Sequence, residues 1–467
     1  MRKYVMLGVL LLCIGIVTVS PAATWTVEQI TDNTESDMFP FVTRVPSGLT
    51  IVYTHNDGDN EAFVADNSSG SWATSRITDN STSDIGLDIA SRPGQATVHI
   101  ALWWIDTPDG EISYCSGTPS SWDIERVTDD GDNDSWPSIE IDQNGFAHMV
   151  YYKITGGDAE IFYSNNVTGS WVSEQVTDNT WNDWYPWLAL NSDGNPHIVY
   201  TDGIALFYTK KTAGIWTAPE VVAGGFGVNS FPYLVLDNED FAHISYAKDD
   251  GSDNEIYYAN NVTGTWQEAK VTSNDYDDFY PTLFLDPAKK VHIAYMANET
   301  SDAEIFYANN VGGVWDIGRV TDNSVDDWAW LGRYFIYDAQ GHGNIFFWND
   351  SDGDSEIYVA RSNEPIIAGV VETPPQFPQI SITANPNPFS SATTVSYSIP
   401  AAGYVSLKIF DVSGSLVKTL VDETQQEGSH QITWDGSNGN GTRVNSGVYF
   451  YHLAVNGAIV SEKVILK

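Results

Sequence analysis

The chain has 467 residues, 42% of them hydrophobic, enough to build large cores and to exclude wholesale disorder. Its 21 basic residues stand against 62 acidic ones, a net charge of −41. Nucleic acid and anionic membrane would repel such a chain, so DNA and RNA are excluded as partners and polyanionic substrates are disfavoured.

Arg2 and Lys3 open the chain, followed by an apolar run from Tyr4 to Val19 and then Ser20-Pro21-Ala22-Ala23. This is the pattern of a secretory signal peptide over residues 1–22, cut after Ala22. The run is short for a membrane span, and no later stretch is long and apolar enough for one. Removal of the signal takes Cys13 with it. Cys115 is then alone, expected as a packed thiol, and no intrachain disulfide can form in the oxidising destination.

Beyond the signal the sequence repeats. Trp25, Trp72, Trp122, Trp171, Trp216, Trp266 and Trp315 recur at intervals of 45 to 50 residues. Each opens a strand-like stretch ending near Val/Ile-Thr, as in WTVEQIT (25–31). A polar loop T-D-N-x-x-x-D follows, usually closed by aromatic-Pro. Then come a second strand, a turn, a third strand opening with His (HIVYT, 197–201) and a fourth opening with Glu-Ile (EIFYS, 160–164). Four short strands per unit of this length predict a propeller blade. The phase predicts how the ring closes: WTVEQIT has no strands before it, and the last unit, EIYVARS (356–362), has no Trp strand after it. The first strand should therefore complete the last blade, giving a seven-bladed β-propeller over 24–363.

The run VTDNTWNDWYPWLALNSDGNPHIVYT (176–201) resembles the TolB-type propeller repeat, with Thr177, Asp183 and Pro186 in a register that returns at Thr31/Asp37/Pro40, Thr128/Asp134/Pro137 and Thr272/Asp278/Pro281. DGSDNEIYY (250–258) and DGDSEIY (352–358) resemble the sialidase-like repeats of secreted bacterial propellers. The resemblance implies an architecture that serves protein docking, glycan binding and catalysis alike.

The same repeat positions hold the candidate chemistry. His99, His148, His197, His243 and His292 share one strand position, so ring symmetry sets them apart and structural hydrogen bonding is expected rather than a metal. The repeat Trp are expected as packing between blades. In a four-stranded meander the T-D-N-x-x-x-D loops and the loops between second and third strands leave on one face, which should be intensely acidic. Asp37, Asp84, Asp134, Asp183, Asp278 and Asp327 share one register there. Two readings stand: Asp and Asn cap turns through their backbone, or clustered carboxylates hold Ca²⁺. Under the second, the candidate ligands are Asp57, Asp59, Asp350, Asp352 and Asp354.

The repeat breaks once. Thr201-Asp202-Gly203-Ile204-Ala205 lacks the Glu of the other units, and Val222-Ala223-Gly224-Gly225-Phe226-Gly227 replaces T-D-N-x-x-x-D. Beside this gap lies the most aromatic crossing loop. Aromatic faces next to Asp and Asn suit neutral sugar rings, so Trp181, Asp183, Trp184, Tyr185 and Phe226 form the candidate ligand site.

Residues 364–380, with Pro365, Pro374, Pro375 and Pro378, read as a stiff linker. After it, period-2 alternation (Val395, Tyr397, Ile399; Val405, Leu407, Ile409) predicts a small β-sandwich over 381–467. There NPNPF (385–389), LKIFDVSGSLVKTL (407–420), WDGSNGNG (434–441), SGVYFYHL (446–453) and KVILK (463–467) resemble the type IX secretion C-terminal sorting domain, which shares its immunoglobulin-like form with the FlgD-like domain. That resemblance implies export across a Gram-negative outer membrane, with the secretion machinery as a partner, and an extracellular or surface location.

No G-x-S-x-G, H-E-x-x-H, phosphate loop or Cys/His cluster is present. The expected function is a secreted or surface binding propeller for an extracellular glycan or protein. Its alternatives are a propeller-type glycoside hydrolase or lyase, which would show two carboxylates beside aromatic walls in one pocket, and a purely structural surface protein.

Overall fold

The structure is a computed structural model and describes residues 23–105, 109–224, 231–299, 302–330, 332–351, 353–367, 381–399, 403–411, 416–426, 428–455 and 458–467. The predicted signal peptide and most of the linker lie outside these residues. Every regular element described is a β-strand, and no helix long and apolar enough to cross a membrane occurs among them.

Seven sheets occupy residues 25–362 of the described chain. The first sets the pattern: Ser36–Val45, Gly48–Asn56, Asn60–Asp66 and Ala73–Arg76 pair antiparallel in sequence order. Meanders of the same kind begin at Ser83–Ser91, Asn133–Ile141, Trp184–Leu190, Tyr233–Leu236 and Asp278–Leu285. The seventh combines Phe335–Tyr337, Gly343–Asn349 and Glu356–Ser362 with the N-terminal strand Trp25–Gln29, in a register running from Trp25↔Ser362 to Gln29↔Tyr358. Leading strands of successive sheets touch in order, and Phe335–Tyr337 meets Ser36–Val45, so the contacts close on themselves. Middle strands are covered on both faces by neighbouring sheets, which is why Ala147–Thr155 is an almost continuous buried run. Outer strands such as Val172–Gln175 face water and read polar.

The repeat Trp residues join one sheet to the one before. Trp171 meets Tyr114 edge-on at 5.2 Å, Trp216 meets Tyr163 at 5.5 Å, Trp266 meets Tyr208 at 5.1 Å, and Trp25 meets Tyr307 at 5.4 Å. The Tyr hydroxyls bond the recurrent histidines: His99 to Tyr114, His148 to Tyr163, His197 to Tyr208 and His243 to Tyr258 at 2.5 Å, and His292 to Tyr307 at 2.7 Å. Burial and these bonds give the histidines a packing role. Cys115 is buried, and burial pushes its thiol up to about 12.

The fourth sheet departs from the pattern. Its outer strand is split into Ile215–Trp216 and Glu220–Gly224, interrupted at Thr217-Ala218-Pro219. In other sheets an Asn on the last turn caps the N–H that opens the second strand, as Asn166 does for Ala147 and Asn261 for Ala242, both at 2.8 Å. Here Pro196 opens that strand and has no N–H to cap. The Asn position is thereby released and holds Lys211.

Residues 381–466 form two further sheets. One orders Ser381–Asn385, Thr393–Ile399 and Gly428–Trp434; the other orders Leu416–Gln425, Gly403–Asp411, Gly447–Val455 and Ala458–Leu466. Val395, Tyr397 and Trp434 from the first share a core with Leu407, Tyr451 and Leu453 from the second. Trp434, wholly buried, donates its indole N–H to the Ser437 carbonyl at 2.8 Å.

Candidate functional site

The T-D-N-x-x-x-D loops do structural work inside the junctions between sheets. Between the third and fourth sheets, Thr177 accepts from the Ile161 N–H at 2.9 Å and donates to Glu160 Oε2 at 2.5 Å. The Asn179 N–H donates to Glu160 Oε1 at 2.9 Å, and its side-chain amide donates to Asp183 Oδ2 at 2.7 Å. The same backbone-to-Glu bond recurs at Glu61, Glu111, Glu255, Glu304 and Glu356. Asp37, Asp84, Asp134, Asp183, Asp278 and Asp327 are all buried, as are the six Glu partners. Burial pushes the Asp84 and Asp183 carboxyls up to about 6 and Asp134 to about 7. Five of these six Asp accept an Asn side-chain amide within the junctions and Asp134 faces Lys153 Nζ at 3.6 Å, while the exposed acidity comes from other loop residues.

The calcium candidates are scattered. Asp57 sits 3.2 Å from the Arg76 guanidinium. Asp59 lines an open polar cleft of about 650 Å³ with Arg126 and Asp129. Asp350 is exposed, Asp352 lies outside the described residues, and Asp354 keeps one buried oxygen without a hydrogen-bond partner. That last oxygen is the feature among them that suits a cation. Among the described residues, three carboxylates converge at Asp250, Asp253 and Glu255, with ligand atoms within 4.8 Å of one another. Lys270 already answers that group, 2.7 Å from Asp250 and 3.1 Å from Glu255.

The feature that spans the sheets is aromatic. The residue before proline at the start of the leading strand is Phe39, Trp136, Tyr185 or Tyr280, with φ of 58°, 55°, 50° and 51°. Each sits where the ladder skips, for example between Trp184 and Trp187. Bulky side chains rarely occupy this left-handed region, and the bulge re-aims the ring. With Phe231 and Trp330 they form a continuous set. Centroids lie 5.8 Å apart for Trp136–Tyr185, 4.7 Å for Tyr185–Phe231, 4.6 Å for Phe231–Tyr280, 5.8 Å for Tyr280–Trp330 and 5.1 Å for Phe39–Trp330. Trp136 of the third sheet also stacks on Trp330 of the seventh at 6.2 Å, a contact across the middle of the sheet array. All six rings are half-buried, on the face of the acidic loops. Arg333, three residues beyond Trp330, reaches Glu140, four residues beyond Trp136, at 2.6 Å and Asp88 of the second sheet at 3.6 Å. This charged brace between the seventh, third and second sheets underlies the aromatic floor.

The sequence-derived ligand residues separate. Trp181 stands 64% exposed on its loop. Asp183 is buried and accepts the Asn179 side-chain amide, and Trp184 packs edge-on against Tyr152 at 4.7 Å. Tyr185 joins the aromatic floor, and Phe226 lies outside the described residues. The sequence reading left out Phe39, Trp136, Phe231, Tyr280 and Trp330. The signal for five of the six floor residues, Trp330 excepted, is the recurrent aromatic-Pro; what the sequence does not give is the bulge that turns four of those rings toward the others.

Residues 387–458 match the family of FlgD Ig-like domains. No curated protein matches the chain in sequence. Among solved structures it is similar to PorZ, a surface component of the type IX secretion system of Porphyromonas gingivalis, with 10% identity over 92% of this chain and 70% of that one and a TM-score of 0.35. It is also similar to a lectin of Aleuria aurantia in complex with a methyl fucoside, at 11% identity over 64% and 98% of the two chains and a TM-score of 0.42. The polysaccharide lyase Uly1 is similar at 10% identity over 71% and 91%, with a TM-score of 0.45. Likeness at this level leaves the reading of function to the chain's own residues.

Proposed function

We propose that the chain is a secreted or surface-displayed binding protein: a seven-bladed β-propeller over 24–363 that takes a neutral glycan on its aromatic floor, carried to the cell surface by an immunoglobulin-like domain over 381–467. The observation that carries this reading is the floor of six half-buried rings contributed by six of the seven sheets. Half-exposed rings with polar loops around them stack on sugar faces while the loops bond the hydroxyls. Trp181 extends the same face. A glycan array run on the mature chain, with and without calcium, should identify a neutral oligosaccharide ligand. Tyr185→Gly together with Trp136→Leu should then weaken that ligand at least tenfold, about 1.4 kcal/mol, while the folded state persists. Binding that survives both changes would remove the floor from the site. A calcium requirement would place a cation beside Asp57, Asp59, Asp350, Asp352 or Asp354.

Export along a type IX-like route rests on the C-terminal motifs and on the match to the FlgD Ig-like domain. A chain lacking 381–467 should accumulate in the periplasm. Its normal delivery to the surface would refute a sorting role for this domain.

A further inference from the structure

We propose that the groove between the fourth and fifth sheets, at the end of the sheets opposite the acidic loops, is a second binding site, for one neutral sugar residue. Strand alternation fixes its position: the turns between first and second strands and between third and fourth strands lie at the far end from the crossing loops. The groove has a volume of about 480 Å³, within the range small ligands occupy. Asn191, Asn195, His197 and Lys210 line it from the fourth sheet, and Phe241 and Trp266 from the fifth.

Comparison with the equivalent positions of the other sheets shows what is particular here. In the third, fifth and sixth sheets the histidine Nε2 faces an aspartate: His148 lies 3.8 Å from Asp142, His243 3.6 Å from Asp237, and His292 3.8 Å from Asp286. In the fourth the corresponding residue is Asn191, and His197 lines the groove instead. Where the fifth sheet carries Asn260 and Asn261, the fourth carries Lys210 and Lys211. Lys211 is committed to Glu174 and lies over the Tyr163 and Trp216 rings. Lys210 is the ladder partner of His197 and has no carboxylate partner among the described residues.

The acids around the groove are mostly engaged. Glu220 accepts the Trp266 indole N–H at 3.0 Å, Glu239 pairs with Lys289 at 3.1 Å, and Asp240 accepts from the Ser192 N–H and hydroxyl, both at 3.0 Å. What remains for a ligand is the Lys210 ammonium as donor, the Asn195 amide as donor and acceptor, and exposed Asp193 as acceptor, beside two aromatic rings. Carboxylates outnumber the two lysines, so an anionic ligand meets net repulsion. A purely apolar ligand would desolvate Lys210 without a partner. A hydroxyl-rich neutral ring satisfies both donors and acceptors. The aromatic floor at the other end plays no part in this assignment.

The test is saturation-transfer NMR and titration of the mature chain with methyl glycosides of neutral hexoses, deoxyhexoses and N-acetylhexosamines, with methyl glucuronide as the charged probe. At least one neutral glycoside should bind. Lys210→Ala with Asn195→Ala should weaken it about tenfold or more; neither side chain holds a hydrogen bond to the described residues, so the fold should stand. Thr212→Trp at the groove wall should abolish the amide shifts that the glycoside causes around Asn195 and Lys210, a readout that sugar bound on the floor does not move. Absence of neutral-glycoside binding, preference for the glucuronide, or affinity untouched by both groove variants would each overturn the proposal. Glycoside-induced shifts confined to the residues around Tyr185 and Trp136 would place the sugar on the floor and likewise overturn it. Melting temperatures of the variants separate loss of the site from loss of the fold.

Discussion

At the scale of single residues, the floor rests on side chains held where L-residues rarely sit. Tyr280 has φ of 51° in a bulge between Phe279 and Thr282, followed by Pro281. The Cβ makes this conformation costly by about 1–2 kcal/mol, and such strain persists only where the surroundings impose it. Here the imposing neighbours are Phe231 at 4.6 Å and Trp330 at 5.8 Å. Two substitutions separate strain from stacking. Tyr280→Ala removes the ring and keeps the Cβ; Tyr280→Gly removes both. Glycine is the less favourable residue in most strand interiors, yet here it should be more stable than alanine by about 1 kcal/mol. Urea unfolding midpoints read the difference. An alanine variant as stable as the glycine one, or more so, would show that the backbone at this position is relaxed.

At the scale of elements, the sequence showed much of the architecture because each strand carries its own period. The middle strands read as buried runs, the outer strands as polar, and the phase of Trp25 pointed to a pairing with 356–362 that the register now displays residue by residue. The acidic loops were legible as loops but not in their chemistry. Six Asp in one register read as turn caps or as a cation-binding face; the structure adds that they are buried, Asp84 and Asp278 wholly enclosed, each with an Asn amide on one oxygen. The floor was invisible for a different reason. Phe39, Trp136, Tyr185 and Tyr280 are separated by roughly a full repeat or more, and a regular ladder would have sent their rings elsewhere; the skipped residue is a property of the pairing. The fourth sheet is an intermediate case. Its missing Glu and altered crossing loop mark it out in the sequence, but both changes lie at the acidic end. At the other end, Pro196 needs no cap, which frees the position of Lys211 and accompanies the change to Lys210 in the groove.

At the scale of the whole molecule, buried carboxyls and buried histidines pull stability in opposite directions with pH. Asp278 is raised by burial and then by the charge of Glu255, with Thr272 and Asn274 bonding it in opposition; Tyr276, Tyr295 and Glu299 also face this group, and Lys270 lies on Glu255. Together with Asp134 at about 7 and Asp84 and Asp183 at about 6, it holds protons that an unfolded Asp, titrating near about 3.9, does not. The stabilisation from a raised pKa is complete below the unfolded value and is lost as pH rises through the folded one. Between pH 8 and about 6.5, then, acidification should stabilise the fold. The histidines act below that range. Burial lowers His99 and His197 to about 4, so as pH falls from about 6.5 the unfolded chain takes up protons that the folded one refuses. Asp435, held near about 2 by its bonds from Ser437, loses its contribution only at still lower pH. These four raised carboxyls outnumber these two lowered histidines, so the histidines only make the rise shallower, and the melting temperature should climb from pH 8 toward about pH 4. Asp278→Asn supplies the control, because an amide keeps the acceptor for Asn274, 2.9 Å away, without the charge. At pH 8 it should be more stable than the parent chain by on the order of 1 kcal/mol, and the advantage should vanish by pH 5.5. A parent melting temperature that is flat or rising between pH 6.5 and 8, or an Asp278→Asn variant destabilised equally at every pH, would mean that the junction carboxyls are ionised in the folded chain and that their charge is answered by a cation.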